Sequence, residues 1–261
     1  MNSVTDTVKE ILGTFQPVHL EEMVSISFMD RVDTKYILPV NLVPDLLHEM
    51  SVNYKVLEID GNRLMNYTTI YYDTDDFLFF NQHVTGKPDR LKIRYRKYES
   101  TGTIFLEVKK KRKNRTIKRR IENNPDSNGF DEHAIEFIRK HFPLDFLNLR
   151  KVLSGSFSRI TLANLSNAER ITMDLSLTYS GNSDAKVEFP WLAVVEWKRD
   201  CHKNGSLFPE FVRKLSLHPT AFSKYCIGIA SLYEVPKKNL LKPNFLQLKK
   251  IEDEYSVSVH A

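Results

Sequence analysis

Cysteine is scarce in this chain, which contains two among its 261 residues. Cys201 and Cys226 lack the short paired spacing of a zinc or iron–sulfur site, and two cysteines do not build a disulfide framework. A small secreted domain held together by disulfides is therefore excluded. We expect both residues to be free thiols in a reducing cytoplasm.

Long apolar runs are also lacking, because no stretch of about 18 apolar residues occurs and a membrane span is not expected. The first ten residues, MNSVTDTVKE, lack the basic stretch and apolar core of a secretory signal, so none is expected. No internal repeat, low-complexity tract or Pro/Gly-rich linker divides the chain. We expect one domain over residues 1–235 and a partly mobile tail over residues 236–261.

Acidic residues are nearly absent from the segment between Lys87 and Arg120. This segment holds 15 Lys and Arg against Asp89, Glu99 and Glu107, which gives it a net charge of +12. Because the whole chain has a net charge of +5, the remainder carries −7. Such a local excess is typical either of a solvated face or of a site for a strongly anionic ligand.

Several segments alternate between polar and apolar residues, as strands with one buried face do. The polar positions are Arg31, Asp33 and Lys35; Lys92, Arg94 and Arg96; Glu107, Lys109 and Lys111; Lys118 and Arg120; Arg170, Thr172 and Asp174; and Glu196 and Lys198. An antiparallel sheet with a dry face and a wet face explains the alternation. However, cations facing one another across strands repel, so this wet face favours an anionic ligand.

Helices are predicted from apolar spacing and proline positions, around residues 17–28, 39–50, 130–142, 208–217 and 223–232. If these helices pack on the apolar side of a closed sheet, the cationic faces converge into a tunnel. The alternation does not by itself establish closure. Asp73, Asp75 and Asp76 are typical of a turn and a helix N-cap.

Eight segments, in this order along the chain, resemble the catalytic domain of the vacuolar transporter chaperone (VTC) family. They are RVDTKYIL at 31–38, YYDTDDF at 71–77, RLKIRYRKY at 90–98, FLEVKKK at 105–111, SFSRITL at 156–162, RITMDLSL at 170–177, VVEWKRD at 194–200 and FSKY at 222–225. Each segment is weak alone, but the ordered set spans residues 17 to 233. The resemblance implies a triphosphate tunnel (CYTH-like) fold, of class α+β, with a closed antiparallel barrel of eight strands and helices outside.

The same resemblance implies a polyphosphate polymerase, which moves the γ-phosphoryl group of ATP onto a polyphosphate chain, releases ADP and uses Mn²⁺ or Mg²⁺. Six residues are implied to be catalytic: Lys35, Arg94, Arg96, Lys109, Arg159 and Glu196. Eight more are expected to bind substrate: Arg31, Lys92, Lys111, Lys118, Arg120, Arg170, Lys198 and Lys224. Glu196 is the first choice as metal ligand and Glu107 the second, although either carboxylate could instead neutralise neighbouring cations.

Two departures from the family fold bear on function. Triphosphatases of this fold begin with Glu-x-Glu-x-Lys, whereas the same positions here are Arg31, Asp33 and Lys35. This difference favours the polymerase branch over the hydrolases. Phe157 stands where many VTC domains have tyrosine, so a contact of that hydroxyl is absent.

Three alternatives stay open at this point: a tunnel triphosphatase, a non-catalytic polyphosphate-binding module and a nucleic-acid-binding protein. Basic and aromatic residues do interleave over residues 92–98, but nucleic acid is not the expected partner. The expected ligands are ATP and inorganic polyphosphate. We expect a cytoplasmic location and hypothesise a membrane-protein partner that receives the polymer, which would place the chain at the inner face of the membrane.

Overall fold

The computed structural model describes residues 4–26, 31–113, 115–126, 129–141, 149–202 and 205–260. The helices are α1 (Val4–Thr14), α2 (Leu20–Met23), α3 (Val43–Met50), α4 (Leu78–Val84), α5 (Glu132–His141), α6 (Phe208–Lys214), α7 (Lys224–Leu232) and α8 (Lys242–His260). The strands are β1 (Pro17–Val18), β2 (Arg31–Pro39), β3 (Lys55–Leu57), β4 (Met65–Asp73), β5 (Arg90–Tyr98), β6 (Ile104–Arg112), β7 (Arg115–Glu122), β8 (Arg150–Asn164), β9 (Glu169–Ser180), β10 (Lys186–Phe189) and β11 (Leu192–Asp200).

Eight of these strands form one curved antiparallel sheet in the order β2-β11-β9-β8-β4-β5-β6-β7. Helices α1, α3 and α6 pack on the apolar outer face of β2, β8, β9 and β11, around Leu38, Met173 and Val195. Helix α5 covers the outer face of β5 and β6 through Phe137 and Ile138. The predicted α+β class, with eight antiparallel strands and helices outside, is therefore confirmed.

The predicted closure of the barrel is wrong, because the sheet is an open half-barrel. In the part of the chain that the structure describes, β2 and β7 pair with one neighbour each and not with one another. The free edge of β2 meets a loop instead, since the Thr220 amide donates to the Lys35 carbonyl at 2.8 Å. Every residue of β7 except Ile121 is exposed, and its cations would face those of β2 if the two edges met.

Helix α7 covers one end of the concave face. Its buried residues pack against Ile37, Tyr71, Leu153 and Tyr179, which point inward from four different strands. Gly228 allows this close approach, because a Cβ there would lie 2.7 Å from the Leu153 Cδ2 atom. The remainder of the concave face carries the polar positions of the strands.

Four predicted helices are confirmed at slightly shorter lengths, as α3, α5, α6 and α7. The helix predicted over residues 17–28 is largely wrong, because Pro17 and Val18 pair in parallel with β3 and Val18 is buried there. Helix α2 and a short 3-10 turn follow, and positions 27 and 28 lie outside the described residues. Helices α1, α4 and α8 were not predicted.

The chain after residue 236 forms a 3-10 turn and then α8, whose Leu248 and Ile251 are buried in the same cluster as α7. The domain boundary at residue 235 and the mobility of the tail stay predictions. Within the described ranges, no helix combines the length with the apolar composition that crossing a membrane requires.

We expect Gly228→Ala to lower the free energy of unfolding by roughly 1–3 kcal/mol, because its methyl group would overpack α7 against Leu153 and Tyr179. The matched control is Gly13→Ala in α1, where a Cβ meets no atom within 4 Å. That change is expected to be neutral or to stabilise by about 0.5–1 kcal/mol. Urea unfolding measures both, and equal midpoints for the two variants would contradict this packing of α7.

Candidate anion-binding site

The strand registers bring the predicted cations onto the concave face. Pairing of β2 with β11 and of β11 with β9 aligns Lys35 with Glu196 and Lys198 with Arg170. The pairs formed by β5, β6 and β7 continue the pattern on the other side of the sheet. All thirteen predicted cations lie on or against this face: Arg31, Lys35, Lys92, Arg94, Arg96, Lys109, Lys111, Lys118, Arg120, Arg159, Arg170, Lys198 and Lys224.

The predicted residues do not form one tight cluster, because they spread along the length of the strands. Arg31, Arg170 and Lys198 lie at the end remote from α7, where β2 begins. Lys92 lies at the other end and donates to Ser223 at the start of α7. The concave face is therefore an extended basic surface rather than a compact pocket.

Glu107 is the central carboxylate of one half of this surface and is only 2% exposed. Its Oε2 atom lies 2.6 Å from an Arg94 terminal nitrogen, and its Oε1 atom lies 2.8 Å from the Lys118 Nζ atom. Although burial raises it, the charges of Arg94, Arg96 and Lys118 hold the pKa of Glu107 well below its usual range. This geometry favours the neutralising role for Glu107 over that of a metal ligand.

Asp174 has the same position in the other half of the surface. It is 3% exposed and binds Arg159 in a bidentate pair, at 2.5 Å from Nε and 2.7 Å from a terminal nitrogen. Lys224, the first residue of α7, forms a second ion pair with it. Burial raises the pKa of Asp174, but Arg159 and Lys224 outweigh this effect and hold it well below its usual range.

Glu196 is the least buried of the three carboxylates and lies between the ammonium groups of Lys35 and Lys198. Burial lowers the pKa of both lysines. Thr172 faces Glu196 across β9 and β11, and its buried hydroxyl lacks a hydrogen-bond partner among the described residues. A carboxylate beside an unsatisfied hydroxyl is an oxygen donor set that suits Mg²⁺ or Mn²⁺ when phosphate oxygens and water complete the shell.

The first turn of α7 adds contacts that sequence reasoning did not identify. Ser223 caps this helix by accepting from the Cys226 amide, and it also accepts from the Lys92 ammonium at 3.0 Å. Tyr225 donates to Asp73, a buried carboxylate. Serine before a helix signals the cap, but nothing local in the sequence signals the bond between residues 73 and 225.

Asp73 confirms the predicted turn and cap, because its carboxylate also accepts from the Phe79 and Phe80 amides at the start of α4. The same carboxylate therefore fixes two helices to the end of β4. Through Tyr225 it holds the first turn of α7, which carries Lys224, against the concave face.

Some cations on the concave face have no carboxylate partner. Within the described ranges, the ion pairs do not include Lys92, Lys109, Lys111, Arg120 or Arg170. Lys109 lies directly between Lys92 and Lys118 in the strand registers. Like charges facing one another across strands destabilise a sheet, so this surface calls for an anion that bridges several strands.

Aromatic rings line the concave face next to these cations. Tyr67 stacks on Phe157 with ring centroids 5.4 Å apart, and the Arg159 guanidinium lies 5.4 Å from the Tyr67 ring and 5.2 Å from the Phe157 ring. The Lys224 ammonium lies 4.7 Å from the Phe157 ring. Phe157 therefore contacts the side chains that flank Asp174, and the tyrosine hydroxyl missing here would have been added beside them.

Taken together, an antiparallel half-barrel with helices outside and a basic concave face defines a tunnel-type phosphate-binding class of protein. The VTC domain model matches residues 30–233. The chain therefore belongs to the VTC domain family. No curated protein matches it.

Solved structures show the same fold at low identity. A candidate adenylate cyclase of Bacillus halodurans is 13% identical, with a TM-score of 0.50 over 74% of this chain and 94% of that one. A candidate adenylate cyclase of Vibrio parahaemolyticus is 13% identical, with a TM-score of 0.46 over 78% and 100% of the two chains. A candidate adenylyl cyclase of Hippeastrum, described as having a dominant triphosphatase activity, is 10% identical, with a TM-score of 0.46 over 79% and 98%.

We expect the affinity for tripolyphosphate to fall as the pH rises from 7 to 9. Burial lowers the pKa of Lys92 and of Lys224 to about 8, so both ammonium groups lose their charge over this range. Isothermal titration calorimetry at several pH values measures the effect. In Lys224→Arg the fall should be shallower, because a guanidinium stays charged.

Comparison of the two proteins at each pH cancels any change in the charge of the ligand itself. Parallel curves for the wild type and Lys224→Arg would show that Lys224 does not titrate at the site.

Proposed function

We propose that this protein is an ATP-dependent polyphosphate polymerase, which transfers the γ-phosphoryl group of ATP to a growing inorganic polyphosphate chain. Membership of the VTC domain family and the extended basic surface support an activity on triphosphates and phosphate chains. The observation that carries the proposal is the state of the three carboxylates on that surface. Glu107, Asp174 and Glu196 are each ion-paired to at least two cations.

These ion pairs favour a phosphate acceptor over water. Hydrolysis needs a general base or a metal-bound hydroxide to activate water. Glu107 and Asp174 are weak bases here, since their cationic partners hold their pKa values low. The terminal oxygen of a phosphate chain is already an anion, so it needs alignment and charge neutralisation rather than deprotonation.

The donor triphosphate is assigned to Arg94, Arg96 and Arg159, with Lys35 and Lys109 beside them. Arginine matches phosphate oxygens in bidentate geometry, whereas lysine supplies a compact charge. Glu107 and Asp174 hold the guanidinium groups of Arg94 and Arg159 in place before the ligand arrives. Such preorganised charge is the main contribution a protein makes to phosphoryl transfer.

The acceptor chain is assigned to Lys118 and Lys224, with the other substrate-binding cations extending the surface toward both ends. In the reaction, a terminal oxygen of the acceptor attacks the γ-phosphorus of ATP. The bond from that phosphorus to the bridging oxygen breaks, and ADP leaves with the electron pair. The acceptor is thereby one phosphate longer, so the reaction can repeat.

Glu196 is the proposed ligand of a divalent ion, with Thr172 next to it. When bound, Mg²⁺ or Mn²⁺ would neutralise charge on the phosphate oxygens. The protein's own part is to hold the Glu196 carboxylate between Lys35 and Lys198, at the middle of the concave face. A membrane-protein partner and a position at the inner face of the membrane remain hypotheses, and nucleic acid is not a proposed ligand.

A tunnel triphosphatase is the second candidate, because it would use the same cations. On β2, however, Asp33 is the single carboxylate among the three inward positions of the motif, and it lies 3.2 Å from Arg31. The paired glutamates that the hydrolases of this fold place there are replaced. A non-catalytic polyphosphate-binding module is the third candidate, and it would have no use for Glu196.

Products of the purified protein with ATP and Mn²⁺ test the proposal on a gel that resolves phosphate chains. We expect a ladder of polymer together with an equivalent amount of ADP. Orthophosphate without polymer would establish the triphosphatase instead. Tight binding of polyphosphate with neither product would leave the binding module.

We expect Arg94→Lys to weaken ATP binding by roughly 10- to 100-fold. The charge beside Glu107 is kept, but the bidentate hydrogen bonds of a guanidinium, worth roughly 1.5–3 kcal/mol, are lost. Calorimetric titration with ATP measures the change. Arg213→Lys on the exposed surface of α6 is the matched control and should bind like the wild type. Unchanged affinity in Arg94→Lys would remove Arg94 from the donor site.

We expect Glu196→Gln to leave the affinity for ATP within about twofold and to lower kcat by roughly 100-fold or more, the size of effect seen when one electrostatic group is lost. The reason is that glutamine keeps the shape but is a poor ligand for Mg²⁺ or Mn²⁺. ATP titration and ADP release report the two quantities separately. Turnover at the wild-type rate would contradict the metal assignment.

A further inference from the structure

The hairpin formed by β6 and β7 carries cations that the concave site does not use. Positions 109 to 120 contain nine Lys and Arg and no acidic residue. Because side chains alternate along a strand, the hairpin presents cations on both of its faces. Its concave face includes Lys109, Lys118 and Arg120, which belong to the site already described.

The opposite face holds Lys110, Arg112, Arg115 and Arg119. Arg112 pairs directly with Arg115 in the register, and Arg119 faces the buried Val108. Lys140, in the last turn of α5, lies across a groove of about 440 Å³ from Arg119. We call these five residues, Lys110, Arg112, Arg115, Arg119 and Lys140, the outer basic surface.

The charges of the outer basic surface are not neutralised by the protein. Among the described residues, the ion pairs do not involve any of its five members. Glu136 is the one acidic residue that lines the groove. Arg112 opposite Arg115 is a repulsive pair, so the hairpin is more stable when an anion lies over it.

The outer basic surface is continuous with the concave site around a single strand edge. β7 is the last strand of the half-barrel, and Arg119 points outward between Lys118 and Arg120, which point inward. The side chains of these three residues are exposed. A ligand that leaves the concave face over this edge therefore meets cations without a break.

We propose that the outer basic surface binds the part of a long phosphate chain that extends beyond the concave face, as a second polyanion site reached over the free edge of β7. This inference rests on the proposed function and adds a path for the chain outside the half-barrel. A closed barrel would not offer that path, because the edge would be covered.

The geometry favours a flexible phosphate chain over an anionic membrane. A bilayer surface is flat over the width of a strand and can contact one face of the hairpin at a time. Cations on both faces of β7, on the other hand, suit a thin polymer that turns over the edge. Each contact is exposed and individually weak, so the site gains affinity with chain length.

The experiment compares the wild type with the triple variant Arg112→Gln, Arg115→Gln, Arg119→Gln. Binding of long-chain polyphosphate and of tripolyphosphate is measured by calorimetry at several salt concentrations. We expect the variant to bind the long chain about tenfold more weakly and with a smaller dependence on salt. Tripolyphosphate, which is short enough for the concave face alone, should bind within about twofold of the wild type.

The matched control changes three exposed lysines on α1 and around the start of α8: Lys9→Gln, Lys237→Gln, Lys242→Gln. It removes the same net charge, so it should leave both affinities near those of the wild type. An equal loss of long-chain affinity in the control would attribute the effect to net charge and would overturn the second site.

Two further outcomes also overturn the proposal. Unchanged long-chain binding in the triple variant, with lost binding to phosphatidylserine vesicles, would assign the surface to a membrane. An equal loss for both phosphate ligands would place the three arginines in the concave site. Polymer synthesis by the wild type is measured separately, so failure of this inference leaves the proposed function standing.

Discussion

Three carboxylates connect the cationic side chains of the concave face, and much of the structure depends on these ion pairs. Glu107 on β6 joins β5 to β7 through Arg94 and Lys118. Asp174 on β9 joins β8 to α7, and Glu196 on β11 joins β2 to its own strand. Without them, cations stacked across neighbouring strands would repel and splay the sheet.

Buried ion pairs are an expensive way to hold a sheet together, because the charges lose their hydration. Apolar side chains of similar size often give equal or greater stability. The concave face nevertheless keeps the charged residues, and it carries more cations than its carboxylates can neutralise. The excess is physically reasonable if a phosphate chain supplies the missing negative charge, since a bound ligand stabilises the folded state.

The open edge and α7 give this surface two different ends. The Thr220 amide occupies the free edge of β2, and α8 supports that loop because Asn244 donates to the Ala221 carbonyl at 2.7 Å. Helix α7 then fills one end of the concave face and brings Lys224 to Asp174. The edge of β7 stays exposed, so a long ligand has room to leave on that side.

Much of the concave face could be predicted from the sequence, because alternation along a strand assigns each side chain to a face. The positions of Lys35, Arg94 and Glu196 follow from that rule. Closure could not be predicted, since it depends on which groups meet the free edges. The bond from Thr220 to Lys35 and the one from Tyr225 to Asp73 join residues far apart in sequence.

The helices show the same limit. Helix α1 buries Val8, Ile11 and Leu12, a spacing that the sequence does display and that predicts an amphipathic helix. Helix α8 has few apolar positions, and the burial of Leu248 and Ile251 comes from packing against the rest of the fold. Tertiary contacts rather than local propensity therefore decide that segment.

The central claim is that the concave face binds a phosphate chain through cations contributed by several strands and α7. A crystal structure of the protein with tripolyphosphate tests it most directly. We expect the phosphates to lie within hydrogen-bonding distance of Arg94, Arg96 and Arg159, with each phosphate bridging different strands. Tripolyphosphate bound elsewhere, with the concave face holding only water, would contradict this account.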